Sequence, residues 1–133
     1  MYSRWEGLHS ELARWLQTND AVRRFRDLRS GSHEFDGFES AVDVVRNTSH
    51  QTELDGRDSV LRPLVHACRD RHARPLAQTI LILCLWPGLD ALFRRRLALF
   101  RDPDHLATEV VDAFTIALHR IDLRRVACLS RMF

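Results

Sequence analysis

Residues 81–122 read LILCLWPGLDALFRRRLALFRDPDHLATEVVDAFTIALHRID, and this stretch limits the possible folds more than any other part of the chain. From Leu76 to Trp86 almost every position is apolar, so a helix there has no face to give to solvent and belongs at the centre of a bundle. Arg74-Pro75 restarts the chain into it, and Pro87-Gly88 kinks or ends it. A helix from Leu89 to Phe100 then turns Leu92, Phe93, Leu97 and Phe100 inward. Asp102-Pro103-Asp104 is a start signal, with a side-chain cap, a proline at the first helical position and a second acid on the helix dipole. Leu106, Val110, Phe114, Leu118 and Ile121 continue it as an apolar stripe about four turns long.

The rest of the chain is helical in pattern too. Trp5, Leu8, Leu12, Trp15 and Leu16 recur at steps of three and four, which puts both tryptophans on one face of a first helix. Asn19 or Asp20 can cap a second helix carrying Val22, Phe25 and Leu28, ended by Ser30-Gly31-Ser32. Phe35, Phe38, Val42 and Val45 repeat the pattern. Polar turn formers from Asn47 to Gly56 predict a loop, after which Asp58 opens a helix carrying Leu61, Leu64, Val65 and Cys68, with Pro63 tolerated near its first turn. Asp122 can cap a short final helix, Leu123 to Phe133. No segment alternates with period two for long enough to be a strand. The expected class is all-α, a compact bundle of six to seven helices in one domain over 1–133, with N-terminal helices and a loop in 1–56 and the central helices in 57–133.

Composition narrows the chemistry. With 45% hydrophobic residues in 133, a core can form without disulfide or metal staples. Cys68, Cys84 and Cys128 are odd in number and far apart, and they read as buried thiols in a reducing compartment. Glu6 and Glu11 interrupt any signal-peptide-like run, and the apolar stretch Ile80 to Trp86 is too short to span a bilayer, so no membrane partner and a cytoplasmic location are expected. All 20 basic residues are arginines, which excludes lysine-based catalysis and leaves planar, permanently charged forks suited to carboxylates or phosphates.

Charge is segregated along the chain. Glu34, Asp36, Glu39, Asp43, Glu53, Asp55 and Asp58 form an acidic stretch against only Arg46 and Arg57. Arg23, Arg24, Arg26 and Arg29 form one basic patch, Arg94 to Arg96 a second, and Arg124, Arg125 and Arg131 a third. Such patches can touch phosphates or an acidic partner, or be ordinary solvated helix faces. The net charge of only +2 argues against strong nonspecific nucleic-acid binding. His66 and Cys68 lie about 200° apart on a helix and cannot share a metal ion, and His105 with Glu109 and Asp112 is at most half of a helical carboxylate site. No Cys-x-x-Cys, glycine-rich phosphate loop or nucleophile elbow is present, so a noncatalytic protein with no metal and no cofactor is expected.

Residues 89–122 also resemble the start of region 2 in bacterial sigma factors of the sigma-70 class. Leu92, Phe93 and Arg94 to Arg96 match that family's arginine-bearing helix. Asp102, Asp104, Leu106, Glu109 and Val110 fall on its acidic cap, leucine and acid, while Thr108 stands where glutamine is usual and His105 where an acid often is. The resemblance implies a helix over Asp104 to Ile121 that docks on the coiled coil of the RNA polymerase clamp. The family's promoter-melting segment has no counterpart up to Phe133. The resemblance thus implies a sigma-like, transcription-associated protein that binds RNA polymerase through Arg95, Arg96, Glu109, Asp112 and Arg120, and touches DNA only weakly through Arg94, Arg124 and Arg125. The rival expectation is a helical adaptor or homodimer without a transcriptional role, using Trp5 and Trp15 or the helix over 104–121 as its contact surface.

Overall fold

A computed structural model describes residues 3–50 and 53–124, and all regular structure among them is helical. Seven α-helices run in chain order: α1 Ser3–Trp15, α2 Asn19–Gly31, α3 Ala41–His50, α4 Leu54–Ala67, α5 Arg74–Cys84, α6 Trp86–Arg96 and α7 Pro103–Arg120. Short 3-10 turns, His33–Phe35 and Leu97–Leu99, precede α3 and α7.

The apolar segment around Ile80 is the hub of the bundle. Leu76, Ala77, Ile80 and Leu81 are completely buried, and α5 packs against α1, α2, α3, α4 and α6. It ends at Cys84, two residues before the expected limit at Trp86, and α6 leaves at 70° after the single residue Leu85. Pro87 opens α6 as well as closing off α5, because first-turn N–H groups have no intrahelical acceptor and the one that proline lacks costs α6 no bond. No single helix among the described residues is long and apolar enough to cross a membrane. The bend carries the chain round to α7, which lies on α1 and α6 with Leu106, Val110, Phe114, Leu118 and Ile121 all buried.

The helix expected over Leu89 to Phe100 runs instead as α6 from Trp86 to Arg96 and gives way to the 3-10 turn Leu97–Leu99. The expected boundaries of α2, α3 and α4 move as well, each for a local reason. Thr18, one residue ahead of the expected Asn19 or Asp20, caps α2: its hydroxyl accepts from the Ala21 N–H at 3.3 Å and donates to the Trp15 carbonyl at 2.7 Å, closing one helix and opening the next. Phe35 belongs to a 3-10 turn, and α3 starts only at Ala41, where Ser40 Oγ accepts from the Asp43 N–H at 3.2 Å. The loop expected over Asn47 to Gly56 is helical at both of its ends, α3 running on to His50 and α4 covering Leu54 to Gly56, with the Asn47 amide and the Ser49 hydroxyl turned back onto carbonyls four residues earlier, each at 2.9 Å. α4 therefore begins at Leu54, ahead of Asp58, which is buried within the helix and paired with Arg62. Pro63 then falls in the third turn of α4, where it costs one backbone bond without interrupting the helix.

At the α1–α6 contact Trp5 is 1% exposed and stacked between Trp86 and Phe93, with ring centroids 4.4 and 4.6 Å away. Trp15 is half-buried against the same core. Both rings therefore face inward, as their spacing predicts, and for that reason Trp5 is not available as the contact surface of an adaptor or dimer. The expected helix from Leu123 onward lies almost wholly outside the described residues, together with Cys128.

Candidate docking surface

Of the sequence-predicted partner residues, Glu109, Asp112 and Arg120 lie on α7, and Arg95 and Arg96 lie on α6. Asp102 caps the helix, its Oδ1 accepting from the Asp104 N–H at 3.0 Å, and Pro103 occupies the first turn. With the apolar stripe turned into the bundle, the opposite side of this 18-residue helix presents His105, Glu109, Asp112, Ile116 and Arg120 to solvent. His105 Nε2 lies 3.6 Å from Glu109 Oε1, and both side chains are more than half exposed. Ile116 is 51% exposed, an apolar spot between the acids and Arg120.

Asp112 also borders a groove of about 280 Å³ between α1 and α7. Leu8, Ala107 and Val111 give it an apolar lining, and Arg4, Glu11, Thr108 and Asp112 give it a polar one. Arg95 and Arg96 sit exposed at the C-terminal end of α6, without an ion pair among the described residues. They lie on α6 and share no element with Glu109, Asp112 and Arg120. The candidate surface is thus one acidic and apolar helix face on α7, with Arg95 and Arg96 on a separate helix.

The residues expected to meet DNA are less free. Arg94 Nε reaches both carboxylate oxygens of Asp90, at 3.2 and 3.1 Å. Arg124 leans on Asp122 at 3.5 Å, and Arg125 lies outside the described residues. Of the expected basic stretch, two arginines are already partly neutralised.

The two described cysteines are both buried. Burial pushes the Cys68 and Cys84 thiols up to about 12, so neither is a thiolate near neutral pH. Cys68 is buried while His66 is exposed, which separates them as their helical spacing predicts. No group of three metal-ligating side chains converges among the described residues.

The pairing of His72 with Asp27 escapes sequence reading. In a cleft of about 420 Å³ between α2 and the α4–α5 turn, His72 Nε2 lies 3.3 Å from Asp27 Oδ2, and Arg24 donates to the His72 carbonyl at 3.0 Å. The two side chains are 45 positions apart, and neither motif nor periodicity marks them. Both are more than half exposed, and no nucleophile is bonded to the pair among the described residues.

Comparison with known protein families, with characterised proteins and with solved structures finds no match to this chain.

Proposed function

We propose that this chain is a noncatalytic, sigma-like transcription protein that docks on RNA polymerase through the outward face of α7. The observation that supports this best is that Glu109, Asp112 and Arg120 all stand in solvent on one capped helix whose apolar stripe is fully used inside the bundle. A helix held rigidly from behind, with an apolar spot at Ile116 and charges around it, has the makeup of a polar-rimmed protein interface. The resemblance over 89–122 nominates the clamp coiled coil as its partner, with Arg95 and Arg96 as cationic contacts at the border. Such a protein works in the cytoplasm, where polymerase is. Its contact with DNA is weak, since Arg94 and Arg124 already face carboxylates.

The test is binding of the purified chain to core RNA polymerase and, separately, to duplex DNA across a salt series. A complex with polymerase is expected, and reversing Glu109 and Asp112 to arginine weakens it at least tenfold, because like charges across such a contact cost several kcal/mol. The melting temperature of that variant stays near wild type, since both positions are exposed. DNA binding should vanish at moderate salt. Absence of any complex with polymerase at micromolar concentrations, or undiminished binding by the reversed variant, overturns the proposal.

A further inference from the structure

α7 carries a second pattern that is complementary to itself. Glu109, Ala113, Ile116 and Arg120 recur at steps of four, three and four, which keeps them in one seam along the helix. All four are exposed, and none of them lines the α1–α7 groove. Arg120 has no ion pair among the described residues, and Glu109 has only the long contact to His105. Ile116 is one of three large hydrophobic side chains left exposed among the described residues, with Val22 and Leu99.

The seam reads the same in reverse. When two identical helices pack antiparallel about a two-fold axis, each position on one copy faces its mirror position on the other. An axis passing between Phe114 and Thr115 sets Glu109 of one copy opposite Arg120 of the other, and Ala113 opposite Ile116, with every contact made twice. Opposite charges close both ends, and each large isoleucine faces a methyl group small enough to make room for it. A register shifted by one turn would lose both ion pairs.

We propose that a second copy of this chain docks on this seam, giving an isologous antiparallel α7 pair. Glu109 and Arg120 are only about 16 Å apart along the helix, so the contact is short and the dimer belongs to the weak, concentration-dependent class. The pairing stands on the seam alone and does not require the polymerase reading. If both hold, self-association and polymerase docking compete for the same face.

Sedimentation equilibrium of the full chain tests the pairing across a range from about 1 µM to about 500 µM. The wild type is expected to pass reversibly from monomer to twice that mass. Glu109→Arg and Arg120→Glu should each weaken self-association at least tenfold, whereas the double reversal Glu109→Arg/Arg120→Glu should restore it by rebuilding both pairs with opposite polarity. Ile116→Asp should leave the chain monomeric and keeps the test independent of the charge variants. A wild type that stays monomeric throughout, single reversals that dimerise normally, or a double reversal that fails to recover would each overturn the pairing. Because the double reversal also inverts charges on the polymerase-facing side, recovery of the dimer with loss of polymerase binding separates this inference from the proposed function.

Discussion

Asp90 ties the first helix to the sixth through one carboxylate. Its Oδ1 accepts from Trp5 Nε1 at 2.9 Å, joining α1 to α6, while Arg94 reaches both oxygens from one turn further along. Burial by itself raises the pKa of this carboxyl, but the hydrogen bonds from Trp5 and Arg94 outweigh it and hold Asp90 below the ordinary carboxylate value. This direction sets the sign of the pH effect. The unfolded chain takes up the proton first as pH falls, so the contribution of Asp90 is present above about pH 4 and is lost as pH drops through the lower folded value. Asp90→Asn should therefore cost about 1 to 3 kcal/mol at pH 7, where it removes a charged acceptor shared by two donors. It should also flatten the acid limb of the stability curve. Urea midpoints at pH 7 and pH 3 would show this, and an acid limb as steep as that of wild type would mean that Asp90 does not carry it. The inward turn of Trp5 is legible in the sequence as one member of a helical stripe. Its partner, 85 positions away, is not, because no local pattern records a contact that only the packing of α1 on α6 creates.

Helix ends are decided by competition between neighbouring side chains, and α7 offers a direct test. Asp102→Ala should remove about 1 kcal/mol by leaving first-turn N–H groups unpaired. Asp104→Asn should cost less, since only its interaction with the dipole changes. Urea titration of the two variants ranks them, and greater sensitivity at Asp104 would move the start of the helix beyond Asp102. The Asp102 start is readable from sequence because acid, proline and acid fall together at the head of a long stripe. The start of α4 is not, because Asp58 looks like a cap but sits inside the helix with Arg62, leaving Glu53 at the boundary without a side-chain bond of its own. The N-terminus of α2 shows the same ambiguity on a smaller scale. Thr18, Asn19 and Asp20 are all capping residues, and the choice falls to Thr18, whose hydroxyl also closes α1, while Asp20 is drawn to Arg23 and Arg24. The docking surface divides along similar lines: exposure of Glu109, Asp112 and Arg120 is set by the stripe on their own helix, whereas the groove beside Asp112 depends on where α1 comes to rest.

At the scale of the whole molecule, one buried cluster extends from Trp5 on α1 to Ile121 beyond α7, with α5 at its centre. Every helix except α7 has a substantial contact with α5, and α7 reaches the cluster through α1 and α6. Loosening α5 should therefore be felt everywhere at once. Ile80 is completely buried, so Ile80→Ala leaves a cavity and should destabilise the fold by about 2 to 5 kcal/mol. The informative measurement compares two probes of the same transition. Far-UV circular dichroism tracks the helices as a whole, while tryptophan fluorescence reports on Trp5 and Trp86, stacked at the α1–α6 contact, and on Trp15. If the core is one cooperative unit, both probes give a single coincident transition in wild type and shift together in Ile80→Ala. The alternative is a fluorescence transition that stays in place while the helical signal moves. That outcome would mean that the α1–α6 contact holds independently of the packing of α5.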